Sequence, residues 1–468
     1  MTNFPCFPSS FWAMQSPLSP AMVWERGDCV FLSGIPERLT WLQWQQLLTE
    51  TVIWLKKQGI DSDMLVAYSG SQRLVGLLCY MGVIAVGGRI LMLNPALSER
   101  QRQQILQQNS VQCVLSEADF ANFSPNLTAC ADFSFQPERP ATLTLTSGSS
   151  GIPKAVVHSV RNHLDNARGV CEFMHFSASN SWLLSLPLFH VSGQGIIWRW
   201  LSAGATLYLT EVKDNIWQWL QQVTHASLVP TQLQRYLSRL PAHQQITQHI
   251  LLGGAYIPAG LIQQAQTHGI ETYAGYGMTE MGSTICASQG DNDNVGKPLA
   301  GREVYLAEGE IWVRGAGLAM GYWLDGQIVP LTNTKGWFAT KDKGEWTAEG
   351  KLVVKGRLDN MFISGGENIQ PEEIEAVFNQ CEIVKNALIV PIPDQEFGKR
   401  PVAFVEFHTE YNQQALDFLQ NFAKERLEKF KLPCHYLPLD SEQWQGSGIK
   451  ISRKQLQQVA EQRVKQQQ

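Results

Sequence analysis

The run Leu143-Thr144-Leu145-Thr146-Ser147-Gly148-Ser149-Ser150-Gly151-Ile152-Pro153-Lys154 has the composition of a phosphate cradle. Its first residues alternate apolar and Thr, the period of a strand. Thr146, Ser147, Gly148, Ser149, Ser150 and Gly151 are all Thr, Ser or Gly. With so little side-chain bulk, backbone N–H groups can close around phosphate oxygens. The hydroxyls add donors and Lys154 adds positive charge. The pattern G-x-x-x-x-G-K-[ST] is absent, because Pro153 precedes the lysine and no Ser or Thr follows it. A flexible Ser/Gly linker is the competing reading, and the apolar residues on both sides argue against it.

Four further clusters could do chemistry. In Thr272-Tyr273-Ala274-Gly275-Tyr276-Gly277-Met278-Thr279-Glu280, Tyr276 offers a flat face for a base. Thr279 can donate to a phosphate, and Glu280 can hold a hard cation such as Mg²⁺. A strand end with a packed aromatic would use the same residues. In Gly336 to Gly344, Asp342 could accept from a ribose hydroxyl pair, or serve a hairpin turn. Lys355 to Glu375 lies where the texture of the chain changes and is a candidate hinge. Gly446-Ser447-Gly448-Ile449-Lys450-Ile451-Ser452-Arg453 puts a lysine in a Gly/Ser loop, where a plain surface Lys is the usual alternative.

These groups need a large scaffold. The chain has 468 residues, which suggests roughly two to four domains. Hydrophobic content of 44% and charged content of 17% describe a well-buried globule. A net charge of −5 argues against nucleic acid or a membrane surface as partner, but not against a nucleotide. The nine cysteines are scattered and form no C-x-x-C pair, so neither a disulfide framework nor a zinc site is expected. A reducing cytosol suits them. Met1 to Met14 has no basic region followed by an apolar run, so no signal peptide is expected. Leu74 to Gly88 is shorter than a membrane span and reads as a buried helix.

Thr40 and Gln43 form a capping-box pattern ahead of a helix that Gly59 can end. Strands are expected at Met64–Tyr68, Ile90–Leu93 and Val111–Leu115, with a helix over Leu74–Val86. Further short apolar runs, Trp182–Leu186, Thr206–Leu209, Ala226–Val229 and Ile250–Leu252, continue the alternation. The pattern implies an α/β fold with a mostly parallel sheet. From about Gly309 the strands look antiparallel, with Gly turns. After Asn360, helices at Pro371, Asn412–Phe430 and Ser452–Val464 and two strands suggest a small α+β domain.

In this order and at these distances, the clusters resemble the adenylate-forming superfamily of acyl-CoA synthetases along nearly the whole chain. Trp182 to Gly195, Trp198 to Leu201, His225 to Leu233 and Ile369-Gln370-Pro371-Glu372-Glu373 resemble its o-succinylbenzoate–CoA ligase family. The resemblance implies an N-terminal domain, residues 1–358, of mixed and parallel sheets flanked by helices, with a small β-barrel-like part. It implies a mobile C-terminal lid domain, residues 359–468, that carries the catalytic lysine. It further implies an acid–thiol ligase that uses ATP, Mg²⁺ and coenzyme A, leaves AMP and pyrophosphate, and works in the cytoplasm on small molecules. Homo-oligomerisation stays open.

The resemblance assigns roles residue by residue. Thr146 to Gly151 with Lys154 would hold the β- and γ-phosphates. Gly253, Gly254, Ala255 and Tyr276 would flank the adenine. Thr279 would contact the α-phosphate and Glu280 the Mg²⁺. Asp342 and Arg357 would hold the ribose. Lys450 would bridge the attacking carboxylate and the α-phosphate. Relatives have Gly directly before this lysine, where Ile449 stands here; Ile451 and Arg453 keep the register, and Lys454 is the nearby rival. Asp359 matches the hinge, and rotation there would bring Gly365 and Gly366 to the site for thioester formation. The second carboxylate of o-succinylbenzoate needs a fixed cation or donors. Arg199, alone in an apolar helical run, would be that anchor or a structural ion pair. His190, Ser192 and Ser227 are candidate donors. Another acyl- or aryl-CoA synthetase, or an adenylation enzyme that loads a carrier protein, would share the nucleotide machinery.

Overall fold

The computed structural model describes every residue except 1–3, 28–31, 33, 147–152, 243, 255–256, 292, 441–451 and 468, and omits the side chains of 259 and 465–467. The chain divides into two compact units. The first is Met1–Gly253, Ala259–Glu303 and Val313–Phe338; the second is Gly254–Pro258, Val304–Trp312 and Ala339–Gln468.

The first unit is built on two sheets. A seven-stranded sheet runs in the order Gln327–Val329, Gly321–Leu324, Lys154–Ser159, Pro140–Thr146, Arg89–Leu93, Leu65–Ser69, Cys113–Leu115. The last four of these pair in parallel, and the first four pair antiparallel. A nine-stranded sheet has the order Lys297–Pro298, Ser283–Gln289, Ile270–Met278, Gln248–Leu252, His225–Leu228, Ser181–Leu183, Thr206–Thr210, Pro20–Glu25, Arg38–Thr40. Its middle strands are parallel and its ends antiparallel. The mixture follows from connection length. Strands joined by a helix return in parallel, while short links reverse the chain.

The local signals act as expected. Thr40 Oγ1 accepts from the Gln43 N–H, and the Gln43 side chain accepts from the Thr40 N–H, which starts the helix Trp41–Lys57. Gly59, at φ +80°, follows that helix. The helix Arg73–Val86 is buried almost all round and is capped by Gly87 in the left-handed conformation. Three expected elements are shorter, one of them the strand expected at Val111–Leu115, which spans Cys113–Leu115. The Trp182 strand ends at Leu183, since the Ser185 N–H turns back to the Leu183 carbonyl. The helix after Asn412 ends at Lys424, and Leu427 and Phe430 then pack on the core of the second unit.

The second unit holds most of a four-stranded sheet, Arg302–Ala307, Glu310–Gly315, Phe338–Trp346 and Leu352–Arg357, and the hairpin Phe362–Ser364/Glu367–Ile369. A three-stranded sheet, Val384–Asp394, Gly398–Phe407 and His435–Pro438, separates two apolar clusters. The helices Pro371–Phe378 and Gln413–Lys424 pack on one cluster, and Arg453–Gln467 supplies Leu456, Ala460 and Val464 to the other.

Candidate active site

The hydroxyl- and glycine-rich run joins two antiparallel strands, with Thr146 opposite Lys154. Thr146 Oγ1 donates to the Lys154 carbonyl at 3.4 Å. Ser147, Gly148, Ser149, Ser150 and Gly151 lie outside the described residues. Lys154 Nζ stands 4.9 Å from the centre of the Tyr322 ring, and the Tyr322 hydroxyl donates to Glu280 Oε1 at 2.9 Å. One side chain on the neighbouring strand thus joins the loop lysine to the cation-binding candidate. The spacing pattern gave no sign of Tyr322, because only strand pairing brings it there.

Tyr276 is almost fully buried in the strand Ile270–Met278, just before an irregularity in its pairing with Ser283–Gln289. Gly277 is required there: a Cβ would meet the Ser283 carbonyl at 2.0 Å. Thr279 and Glu280 form the short turn that follows. The Ala319 N–H donates to the Glu280 carbonyl at 2.8 Å, fixing this turn against the chain leading to Tyr322. Gly253 directly follows the Gln248–Leu252 strand, and a Cβ on it would lie 3.5 Å from the Gly275 carbonyl. Gly254 has φ +84°. Ala255 is outside the described residues.

Arg199 lies in the helix Val191–Ala203 and is 1% exposed. Its Nη1 donates to Ser227 Oγ and its Nη2 to Ser283 Oγ, each at 3.2 Å. Its guanidinium sits 5.0 Å from the centre of the Trp182 ring. Its Nε has no partner, and no carboxylate stands within 4.0 Å of it among the described residues. The structural ion pair is therefore not formed. Burial pushes the guanidinium down to about 10, with Cys171 acting the other way. Ser283 has φ +135°, a conformation that costs a non-glycine residue about 1–3 kcal/mol. It was not among the sequence candidates, since nothing in its neighbours' spacing reveals that backbone. His190 is the residue before the helix and packs against Phe189, and Ser192 lies in its first turn, about two turns before Arg199. Gly193 allows this start: a Cβ would meet the Pro187 carbonyl at 2.2 Å.

In the second unit, Asp342 and Arg357 face each other across paired strands, with Nη1 3.3 Å from the carboxylate. Asp342 is therefore within a strand rather than in a hairpin turn. Arg357 Nε and Nη2 both donate to Asp359 at 3.0 Å. That pairing holds the Asp359 carboxyl below its ordinary range, the hydrogen bonds from Arg357 outweighing burial. Gly365 and Gly366, at φ +59° and +88°, form the tip of the Phe362–Ile369 hairpin. Lys450 is outside the described residues. No group of three or more His, Cys, Asp or Glu able to hold a metal occurs among the described residues. A Mg²⁺ held by one carboxylate and substrate phosphates needs none. No described helix is long and apolar enough to cross a membrane.

Residues 11–323 match the AMP-binding enzyme family, and residues 373–443 match the AMP-binding enzyme C-terminal domain. A 2-succinylbenzoate--CoA ligase of Haemophilus influenzae is 50% identical over 90% of this chain and 92% of its own length. A substituted Escherichia coli MenE with bound OSB-AMS superposes with a TM-score of 0.87 at 36% identity, covering 99% of this chain and 100% of that one. The o-succinylbenzoate CoA synthetase (MenE) of Bacillus subtilis, in complex with the acyl-adenylate intermediate OSB-AMP, has a TM-score of 0.83 at 25% identity, covering 96% and 98%.

Proposed function

The chain belongs to the AMP-binding enzyme family, and we propose that it joins o-succinylbenzoate to coenzyme A, a step of menaquinone biosynthesis. A carboxylate oxygen of the substrate attacks the α-phosphorus of ATP, and the bond to pyrophosphate breaks. The sulfur of coenzyme A then attacks the acyl carbon, loses its proton and expels AMP. A free carboxylate is a poor electrophile, and the mixed anhydride supplies a good leaving group. Both partners of the first step are anions, so catalysis is mainly positioning and charge neutralisation.

The observation that carries the substrate assignment is Arg199. A buried guanidinium with two hydroxyl partners, and with no carboxylate beside it among the described residues, is left to be neutralised by an anion from outside. The aromatic carboxylate of o-succinylbenzoate would supply it, with Ser227 and Ser283 as co-donors and His190 and Ser192 nearer the helix start. Thr146 to Gly151 and Lys154 would hold the outer phosphates. Gly253, Gly254, Ala255 and Tyr276 would flank the adenine, with Thr279 on the α-phosphate. Glu280, steered by Tyr322, fits a hard cation, and Mg²⁺ there would offset phosphate charge. Asp342 and Arg357 would hold the ribose, Lys450 the transition state, Asp359 the pivot between residues 1–358 and 359–468, and the Gly365-Gly366 tip the thiol-transfer state. The setting for this chemistry is the cytoplasm.

The test is a panel of carboxylic acids incubated with ATP, Mg²⁺ and coenzyme A, read by mass spectrometry. The expected product is o-succinylbenzoyl-CoA. Thioesters from other acids only, or an adenylate that never passes to free coenzyme A, would overturn the assignment.

A further inference from the structure

Asp359, the proposed pivot, lies inside a small hydrogen-bonded bridge of the second unit. Gln370 Nε2 donates to the Arg357 carbonyl at 2.8 Å and also to Glu372 Oε2. Glu372 Oε1 accepts from Asn360 Nδ2 at 2.6 Å and stands 3.4 Å from Arg453 Nη2. Arg453 makes a forked pair with Glu375 and donates to the Ile389 carbonyl at 2.8 Å. Gln370 is 3% exposed. The pair is seated close against the chain before the pivot. A Cβ on Gly356 would come within 2.7 Å of both Gln370 Nε2 and Glu372 Oε2.

The covalent order gives this geometry a consequence. Arg357 precedes the pivot and Gln370 follows it. Rotation at Asp359 moves one relative to the other, so the 2.8 Å bond belongs to one orientation only. The Asn360–Glu372 contact lies wholly after the pivot and can travel with the lid. In the bridged orientation, the peptide of the ribose-binding Arg357 and the base of the helix Arg453–Gln467 belong to one bonded set. Arg453 follows Lys450 by three residues. We propose that Gln370 and Glu372 are positioning residues that latch the pivot in the orientation serving acyl-adenylate formation. This rests on the roles proposed above for Arg357 and Lys450.

The experiment measures the two half-reactions separately in Gln370→Met and Glu372→Gln. The first removes a donor at similar volume, and the second removes the charge facing Arg453. Pyrophosphate release from ATP and o-succinylbenzoate without coenzyme A is expected to slow about five- to tenfold, the size one hydrogen bond gives. Thioester formation from preformed acyl-adenylate should stay within about twofold, and the KM for o-succinylbenzoate should not move. A merely structural role would slow both half-reactions alike, and that result in either folded variant would overturn the latch. Slowing of the thioester step alone would overturn it too. If the unaltered protein releases no pyrophosphate with o-succinylbenzoate, the functional reading falls, and the latch's assigned step falls with it.

Discussion

Arg199 and Arg302 are both buried in the first unit, and burial pushes each guanidinium down to about 10. Neither has a carboxylate within 4.0 Å among the described residues. Their surroundings differ. Arg302 Nε, Nη1 and Nη2 donate to the carbonyls of Thr284, Ala300 and Asn166, at 3.2, 2.7 and 2.5 Å. It thereby ties a helix, a strand and a turn together, and every nitrogen is used. Arg199 meets two hydroxyls and an indole face, and its Nε is idle. A carbonyl is fixed in the chain and can only accept. A hydroxyl can accept from Arg199 and still donate its own hydrogen to an incoming anion. One arginine has every nitrogen bonded within the fold, and the other keeps its Nε without a partner.

The largest effect should fall on Arg199. Arg199→Met is expected to lower kcat/KM for o-succinylbenzoate about 100-fold or more, the scale of a desolvated charge pair. The KM for ATP should stay within about twofold. Steady-state kinetics with each substrate varied would decide it, and equal effects on both would remove the anchor. Arg302→Met sharpens the same contrast in stability. It removes three hydrogen bonds from a charged donor to carbonyls, at about 1–3 kcal/mol each. A fall of about 3 kcal/mol in denaturant unfolding is expected, while Arg199→Met should shift the midpoint little or raise it. Matching losses would show that both arginines are structural.

The sequence made the elements of this site legible more readily than its contacts. Period-two and helical patterns, the Thr40–Gln43 box and Gly59 are local rules, acting over a few residues, and the chain obeys them. The motif order singled out Lys154, Glu280, Asp342 and Arg357 as candidates in the same local way. Ser283 and Tyr322 were not visible. Their roles depend on strands adjacent in the sheet but distant in sequence, and on a backbone angle that no composition announces. Arg199 was visible as an oddity, a charge in an apolar helix. The geometry argues against the ion pair, since no carboxylate stands beside it among the described residues, and the anchor role stays the proposal made above.

A smaller effect is expected at the phosphate end. Tyr322→Phe keeps the ring beside Lys154 and removes the hydroxyl that orients Glu280. The KM for ATP at limiting Mg²⁺ should rise about fivefold, one hydrogen bond's worth, with the KM for o-succinylbenzoate unchanged. A rise in the latter would mean that the Arg199 region and the phosphate region are not separable, which would blunt the comparison.

The smallest effect concerns the floor of the Arg199 region. Trp182, which carries the guanidinium, also packs against His225 with ring centroids 5.3 Å apart. His225 bonds the Met174 carbonyl at 3.0 Å and Thr224 Oγ1 at 2.9 Å, and stacks on His249. Burial pushes it down to about 4, with the bond to Met174 opposing and His249 assisting. In the unfolded chain it would titrate near 6.5. Between these values the unfolded state binds the extra proton, so stability falls as pH drops from about 6.5 to about 4. Above that window the neutral ring adds no pH dependence, and below it both states are protonated. His158, pushed down to about 3 by burial, extends the same trend to lower pH. His225→Phe should therefore flatten the stability profile across the window, by at most about 1.4 kcal/mol per pH unit, even if it loses the Met174 bond. The expected result is urea midpoints that converge with wild type as pH falls from 6.5 to 4. Parallel profiles would show that no proton is excluded here, and that this floor admits charge as readily as the carbonyl nest of Arg302.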